Sequence, residues 1–124
     1  MSLEMQKNEL RARLKRLRSR ITPSLRHQNN LAIATRLLAM SEIKQASSVF
    51  CFVSFGTEVE THTLIDEFSR QNKDIAIPRI IESEYMLSVK FDCWEDLTVG
   101  QLGILTPPAK AAVIDKFDIT LTPG

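Results

Sequence analysis

Two short stretches of this sequence carry side chains arranged for chemistry. In Ser54-Phe-Gly-Thr-Glu-Val-Glu-Thr61, Glu58 and Glu60 stand two residues apart behind Gly56, which permits a tight loop. Carboxylates on a loop at a strand end are candidate site residues, because loops held by a rigid scaffold commonly carry binding and catalytic groups. The same pair also fits the first turn of a following helix, where acidic side chains meet the positive end of the dipole. Local spacing leaves both uses open. In Lys7-Asn-Glu-Leu-Arg11 two cations stand four apart, which on a helix brings both heads within reach of one anion. That geometry suits a polyphosphate, although the spacing also serves an ordinary solvated face.

Other reactive residue types are sparse. Cys51 and Cys93 lie far apart in apolar or mixed stretches, which matches neither a zinc-ligand pair nor a disulfide framework, so both are read as reduced packing residues. His27 and His62 fall on separate elements without a spaced acidic partner, and no metal site is expected. Charge is distributed unevenly. Residues 1–30 hold eight Lys or Arg against two Glu, a balance of +6, which leaves −5 on the rest of a chain whose total is +1. A basic element beside a mildly acidic body is a candidate anion site.

These side chains need a scaffold, and the pattern supplies one. At 124 residues, 44% hydrophobic and 25% charged, the chain fits a single domain with one core. Met1–Leu3 are read as a cloning remnant. No secretory leader or membrane-spanning run is present among the residues given, and a cytoplasmic location is expected. Leu10, Leu14, Leu17 and Ile21 repeat at helical spacing and predict a helix from about Glu4 to Ile21. Thr22-Pro23 then caps a second helix to about Met40 with Leu31, Ile33, Leu37 and Leu38 on its apolar side, and Ser41 caps a turn to Gln45. Ser48 to Val53 reads as a buried strand, Ser54 to Glu60 as a loop, and Thr61 as the cap of a helix to about Gln71 that buries Leu64, Ile65 and Phe68. A second strand runs from Asp74 and ends at Pro78. Strand, helix and strand in this span predict a parallel βαβ unit. Met86–Phe91 and Asp118–Thr122 are further strands, joined by a turn-rich connection from Asp92 to Pro108. The fold class expected is α/β: a helix-flanked, mostly parallel sheet in a three-layer sandwich, preceded by an N-terminal helical pair. Ligands in such sheets bind beyond the carboxyl ends of the strands, here Ser54–Glu58, Pro78-Arg79 and Pro123-Gly124.

Taken in order, Lys7-x-x-Leu-Arg11, the stretch Phe52-Val-Ser-Phe-Gly-Thr-Glu-Val-Glu-Thr61, Ile77-Pro-Arg79, Met86, Asp96-Leu97, Gly103-Ile-Leu-Thr-Pro107 and Phe117-Asp-Ile-Thr-Leu-Thr-Pro-Gly124 resemble the 5-formyltetrahydrofolate cyclo-ligase family. The resemblance covers the chain from Lys7 onward, and the stretch ending at Thr61 is its most specific part. It implies ATP- and magnesium-dependent closure of 5-formyltetrahydrofolate to 5,10-methenyltetrahydrofolate, by phosphorylation of the formyl oxygen, attack of N10 and expulsion of phosphate. It implies that Lys7 and Arg11 contact the nucleotide phosphates, that Val53 and Glu58 contact the folate with Glu58 in the catalytic role, and that Phe55 packs near the pterin. Arg79 and Met86 are site neighbours. The implied partners are 5-formyltetrahydrofolate and ATP, with no nucleic acid and no membrane, and a monomer when full length.

Two departures set expectations of their own. The family pattern carries an acidic or polar residue where this chain has Thr106. Members also continue into a glycine-rich, phosphate-cradling loop, and Gly56, Gly100, Gly103 and Gly124 form no such cluster. The chain as given is therefore expected to be incomplete at its C-terminus, inactive and prone to self-association. Two rivals stay open: a folate-binding fragment without catalysis, and a nucleic-acid-binding module built on the basic helix.

Overall fold

The computed structural model of the protein describes residues 1–82, 85–100 and 103–123; Gly124, named above as a strand-end residue, lies outside them. The helical pair is α1, Leu3–Ser19, and α2, Pro23–Ala39. Ser2 and Thr22 cap them, each hydroxyl accepting from an amide three residues on, at 3.1 and 3.2 Å. Ser2 and Leu3, read as a remnant, are thus the cap and first residue of α1. A short α3, Ser41–Gln45, follows with Met40 at its N-cap; the Ser41 hydroxyl turns to the Glu42 carboxylate and does not cap it.

The sheet comprises β1, Ser48–Cys51; β2, Asp74–Ile81; β3, Tyr85–Lys90; and, after a long excursion, Ile119–Leu121. Among the described residues the excursion includes a 3₁₀ turn, Trp94–Asp96, and a two-stranded hairpin of β4, Thr98–Val99, and β5, Leu105–Thr106, so the Ile119–Leu121 strand is β6. Sheet order is β3-β2-β1-β6, with β1 parallel to both neighbours and β3 antiparallel at the edge. The helix-flanked, mostly parallel sheet expected from sequence is present, and α4, His62–Arg70, is the crossover of its βαβ unit. α4 closes with Asn72 at φ 61°, its N–H and that of Lys73 donating to Ser69 and Phe68 carbonyls at 3.0 Å, a Schellman ending that turns the chain into β2.

Alternation along the strands sorts the core. Val49, Cys51, Ile75, Ile77 and Val89 join one buried cluster with Leu64, Ile65 and Phe68 of α4 and Ile43 of α3, and Leu37 and Leu38 of α2 pack against it. Phe50 points the other way and stacks on Phe117 with ring centroids 5.3 Å apart. The expected end of β2 is corrected. β2 does not end at Pro78 but continues to Ile81, pairing Pro78 with Ser88. The Ser88 carbonyl accepts from Ile114 N–H at 2.8 Å, so that pair faces away from its own ladder, and the N–H that Pro78 lacks falls beyond the last β1 pairing at Ala76. The apolar stripe of α1 is left open: Leu10, Leu14 and Leu17 are about half exposed, as are Leu31 and Ile33 of α2.

Candidate functional site

The loop after β1 is held by three linked devices. Thr61, buried to 1% exposure, donates its hydroxyl to Phe52 O at 2.7 Å and accepts from Ser54 N–H at 2.9 Å, while its own N–H donates to Ser54 Oγ at 3.0 Å. These bonds staple the two ends of the loop together. Thr61 therefore occupies the N-cap position of α4 without capping it; Glu60 does so instead, its Oε1 accepting from Thr63 N–H at 2.8 Å. Between the ends, Gly56 sits at φ +62° with open space where a Cβ would be, so glycine serves backbone conformation here and not packing. Glu58 closes that turn on itself: its N–H donates to Phe55 O at 3.3 Å and its Oε1 accepts from Phe55 N–H at 2.8 Å.

The helical pair leans on this loop. Asn30 Oδ1 accepts from Glu60 N–H at 3.2 Å, and Arg18 Nε donates to Thr57 Oγ1 at 2.9 Å. Arg26 crosses behind, donating from Nη2 to the carbonyls of Arg18 and Ile21 at 3.0 and 3.2 Å, where a cation at a helix C-terminus is favoured. Together these elements wall a cleft of about 550 Å³ at the carboxyl ends of β1 and β6, lined by Arg18, Arg26, Asn30, Glu58, Val59 and Leu121 among others. The position is the one that parallel sheets reserve for ligands. Among the described residues, neither arginine nor Glu58 enters a salt bridge.

Of the site residues implied by the resemblance, Glu58 alone lines the cleft, together with Thr57 and Pro123 from the strand ends named from sequence. Val53 is buried at 5% exposure, and Phe55 stands half exposed against Gly103, whose Cβ, if present, would come 3.2 Å from the ring. Lys7 and Arg11 lie on the exposed length of α1, where Arg11 donates to Asn8 Oδ1 at 3.2 Å and approaches Glu4 at 3.9 Å. They are not brought together with Glu58. Arg79 and Met86 sit in the β2–β3 hairpin and do not line the cleft. Thr106 turns its hydroxyl to Ile104 O at 3.2 Å and fills the space above Gly100, where any Cβ would collide with it. Arg18, Arg26 and Asn30 were not singled out as site residues. Helical spacing of about 100° per residue does place Arg18 on the same face as Lys7 and Arg11.

Both cysteines are free, Cys51 buried and Cys93 partly so. Burial pushes the Cys51 thiol up to about 12, with the nearby Glu60 charge adding to the effect and a hydrogen bond with Thr61 opposing it. It is a packing thiol and not a nucleophile. His62 stacks on Trp94, ring centroids 4.6 Å apart, and Trp94 Nε1–H donates to Asp66 at 2.6 Å. Among the described residues no group of three or more His, Cys, Asp or Glu side chains is placed to hold a metal ion, and no helix is long and apolar enough to cross a membrane.

Comparison with known proteins follows the same lines. A sequence model described as the 5-formyltetrahydrofolate cyclo-ligase family matches residues 4–124. The chain is similar to a 5-formyltetrahydrofolate cyclo-ligase of Haemophilus influenzae, 24% identical over 94% of this chain and 65% of the relative. It is also similar to a probable 5-formyltetrahydrofolate cyclo-ligase of Schizosaccharomyces pombe, 27% identical over 98% of this chain and 63% of the relative. It thus spans about two thirds of the length of these curated relatives. In fold it is similar to the solution structure of the Aquifex aeolicus 5,10-methenyltetrahydrofolate synthetase, with a TM-score of 0.73 at 21% identity over 87% of this chain and 54% of that one.

Proposed function

This chain belongs to the 5-formyltetrahydrofolate cyclo-ligase family, and from that premise we propose that the protein serves ATP-dependent closure of 5-formyltetrahydrofolate to 5,10-methenyltetrahydrofolate. In that reaction the formyl oxygen takes the terminal phosphoryl group as the bond to ADP breaks, and the N5 lone pair makes the carbon an iminium electrophile. N10 attacks that carbon, the carbon–oxygen bond breaks to release phosphate, and the N10 proton leaves to give the methenyl product. The partners proposed are these two small molecules, and the proposed setting is the cytoplasm.

The observation that carries the reading is the place of Glu58. Its Oε1 is held by the Phe55 amide on a loop stapled at both ends, while the residue lines the cleft beyond β1. A carboxylate fixed before reaction begins can take pterin N–H donors and favour the iminium charge without reorganising. Val53 and Phe55 shape the same loop end, with Phe55 offering its exposed ring to a flat heterocycle. Lys7 and Arg11 offer cations to the nucleotide phosphates. The described residues do not build a cage for magnesium, which in such reactions travels on the phosphates, and no step above is routed through it.

The test is formation of the methenyl chromophore from 5-formyltetrahydrofolate, ATP and magnesium. Full-length protein should form it only with ATP, and Glu58→Gln in that protein should lower turnover about tenfold or more. The melting temperature of that variant should stay close to wild type, since a loop carboxylate adds little to the core. Lys7→Ala should raise KM for ATP more than KM for the folate. Absence of any ATP-dependent chromophore from full-length protein overturns the reading, and unchanged kinetics for Glu58→Gln return that residue to a purely structural role.

A further inference from the structure

Arg18 is the one residue of α1 that is not exposed, and it is half-buried where the helix meets the cleft. Its guanidinium is held through Nε alone, by the neutral hydroxyl of Thr57, and no carboxylate pairs with it among the described residues. Asn30, across the cleft, uses its Oδ1 on the Glu60 amide, which turns its two Nδ2 donors away from that bond. Arg26 adds a second guanidinium to the lining, with Nη2 spent on the carbonyls of Arg18 and Ile21 and Nε buried without a partner among the described residues. Two cations and an amide donor with no other partner among the described residues thus share a cleft with the single carboxylate of Glu58, which is bonded to the Phe55 amide and forms no salt bridge with either arginine, and with apolar wall residues including Ile33, Leu64 and Leu121. Charge unpaired in such surroundings is costly unless an anion completes it.

We propose that Arg18, supported by Asn30 and by the charge of Arg26, forms an anion-binding subsite that receives a phosphate or carboxylate group of a substrate lying in the cleft. The proposal deepens the folate and nucleotide reading above and rests on it for the identity of the ligand. A guanidinium suits either anion because its fork of N–H donors matches both geometries. Lys7, Arg11 and Arg18 fall on one face of α1, with Arg11 about 10 Å and Lys7 about 16 Å from Arg18 along the axis at about 1.5 Å per residue. The face is therefore a cationic track that starts in the cleft and runs outward. Arg18 marks its inner end, and an extended anionic ligand could engage both ends.

Direct binding tests this without turnover. Calorimetry with tripolyphosphate reads the phosphate arm, and calorimetry with 4-aminobenzoylglutamate reads the carboxylate arm. One of the two probes should bind wild-type protein, weaken with added salt, and lose about tenfold or more in affinity in Arg18→Gln. Arg18→Lys should recover part of the loss. Thr57→Val removes the pin on Arg18 but keeps the guanidinium, and its affinity should stay within about twofold of wild type. If neither probe binds, or if Thr57→Val weakens binding as much as Arg18→Gln, Arg18 only fastens α1 to the loop and the proposal fails. Loss of cyclisation alongside intact, Arg18-dependent anion binding would instead count against the enzymatic reading and leave the subsite standing.

Discussion

Cys51 has no access to solvent, and its thiol donates to Phe52 O at 3.3 Å beneath the site loop. Its proton is therefore a stability term. The pKa is raised to about 12 in the folded protein, so the folded state keeps a proton that the unfolded chain releases at lower pH. The contribution is complete below the pKa of the unfolded thiol and is lost as pH climbs from there toward the folded value. Urea unfolding from neutral to alkaline pH should accordingly show wild-type stability falling relative to Cys51→Ala, by at most about 1.4 kcal/mol per pH unit. Native alkylation should label Cys93 first and Cys51 only after unfolding. A parallel pH profile for the two proteins, or rapid native labelling of Cys51, would show that this thiol ionises as freely folded as unfolded.

At the next scale the loop and the elements around it divide into what the sequence made legible and what it did not. β1 and α4 were readable because an unbroken apolar run and the Leu64, Ile65, Phe68 spacing each fit one secondary structure. The extension of β2 past Pro78 was not, because it depends on which side of the strand lacks a partner, a fact of sheet pairing and not of local propensity. Two-residue strands such as β4 and β5 have no periodicity to read. In the candidate site, Glu58 was singled out by the resemblance of its whole stretch, since local spacing alone left a helix-start role open. Arg18 was not, since eight cations in the first thirty residues look alike until a helix pose selects one. Thr61 was visible for the wrong reason: it is an N-cap by position and a loop staple by bonding. Thr61→Val keeps the shape and leaves Phe52 O and Ser54 N–H unpaired in a buried place. It should therefore cost about 1–3 kcal/mol, seen as a lower urea midpoint at unchanged m. A midpoint equal to wild type would mean that water replaces the hydroxyl and that Glu58 is positioned without it.

Across the whole molecule, apolar exposure is concentrated on the helical pair, where Leu3, Met5, Leu10, Leu14 and Leu17 of α1 and Leu25, Leu31 and Ile33 of α2 all remain exposed. The periodicity that predicted α1 says which residues share a side and not whether that side is covered, and α1 has no buried residue. Fully burying one leucine contributes roughly 1.5–3 kcal/mol, so three neighbouring leucines at about half exposure still hold several kcal/mol of unrealised burial. Opposing this, the same helix carries Lys7, Arg11, Arg13, Lys15, Arg16 and Arg18, and two copies brought face to face would repel. Screening weakens repulsion between exposed charges while leaving apolar contact intact. The protein should thus self-associate more as salt is raised, the reverse of what an ion-paired complex would do. Sedimentation velocity should show the weight-average mass rising with protein concentration and with salt. Leu14→Glu should lower it at every salt concentration without moving the melting temperature by more than a few degrees, because the half-exposed Leu14 side chain contributes little to the buried core. A wild-type protein that sediments as a monomer across that range would mean that the repulsion of the basic face outweighs the leucine stripe even when screened.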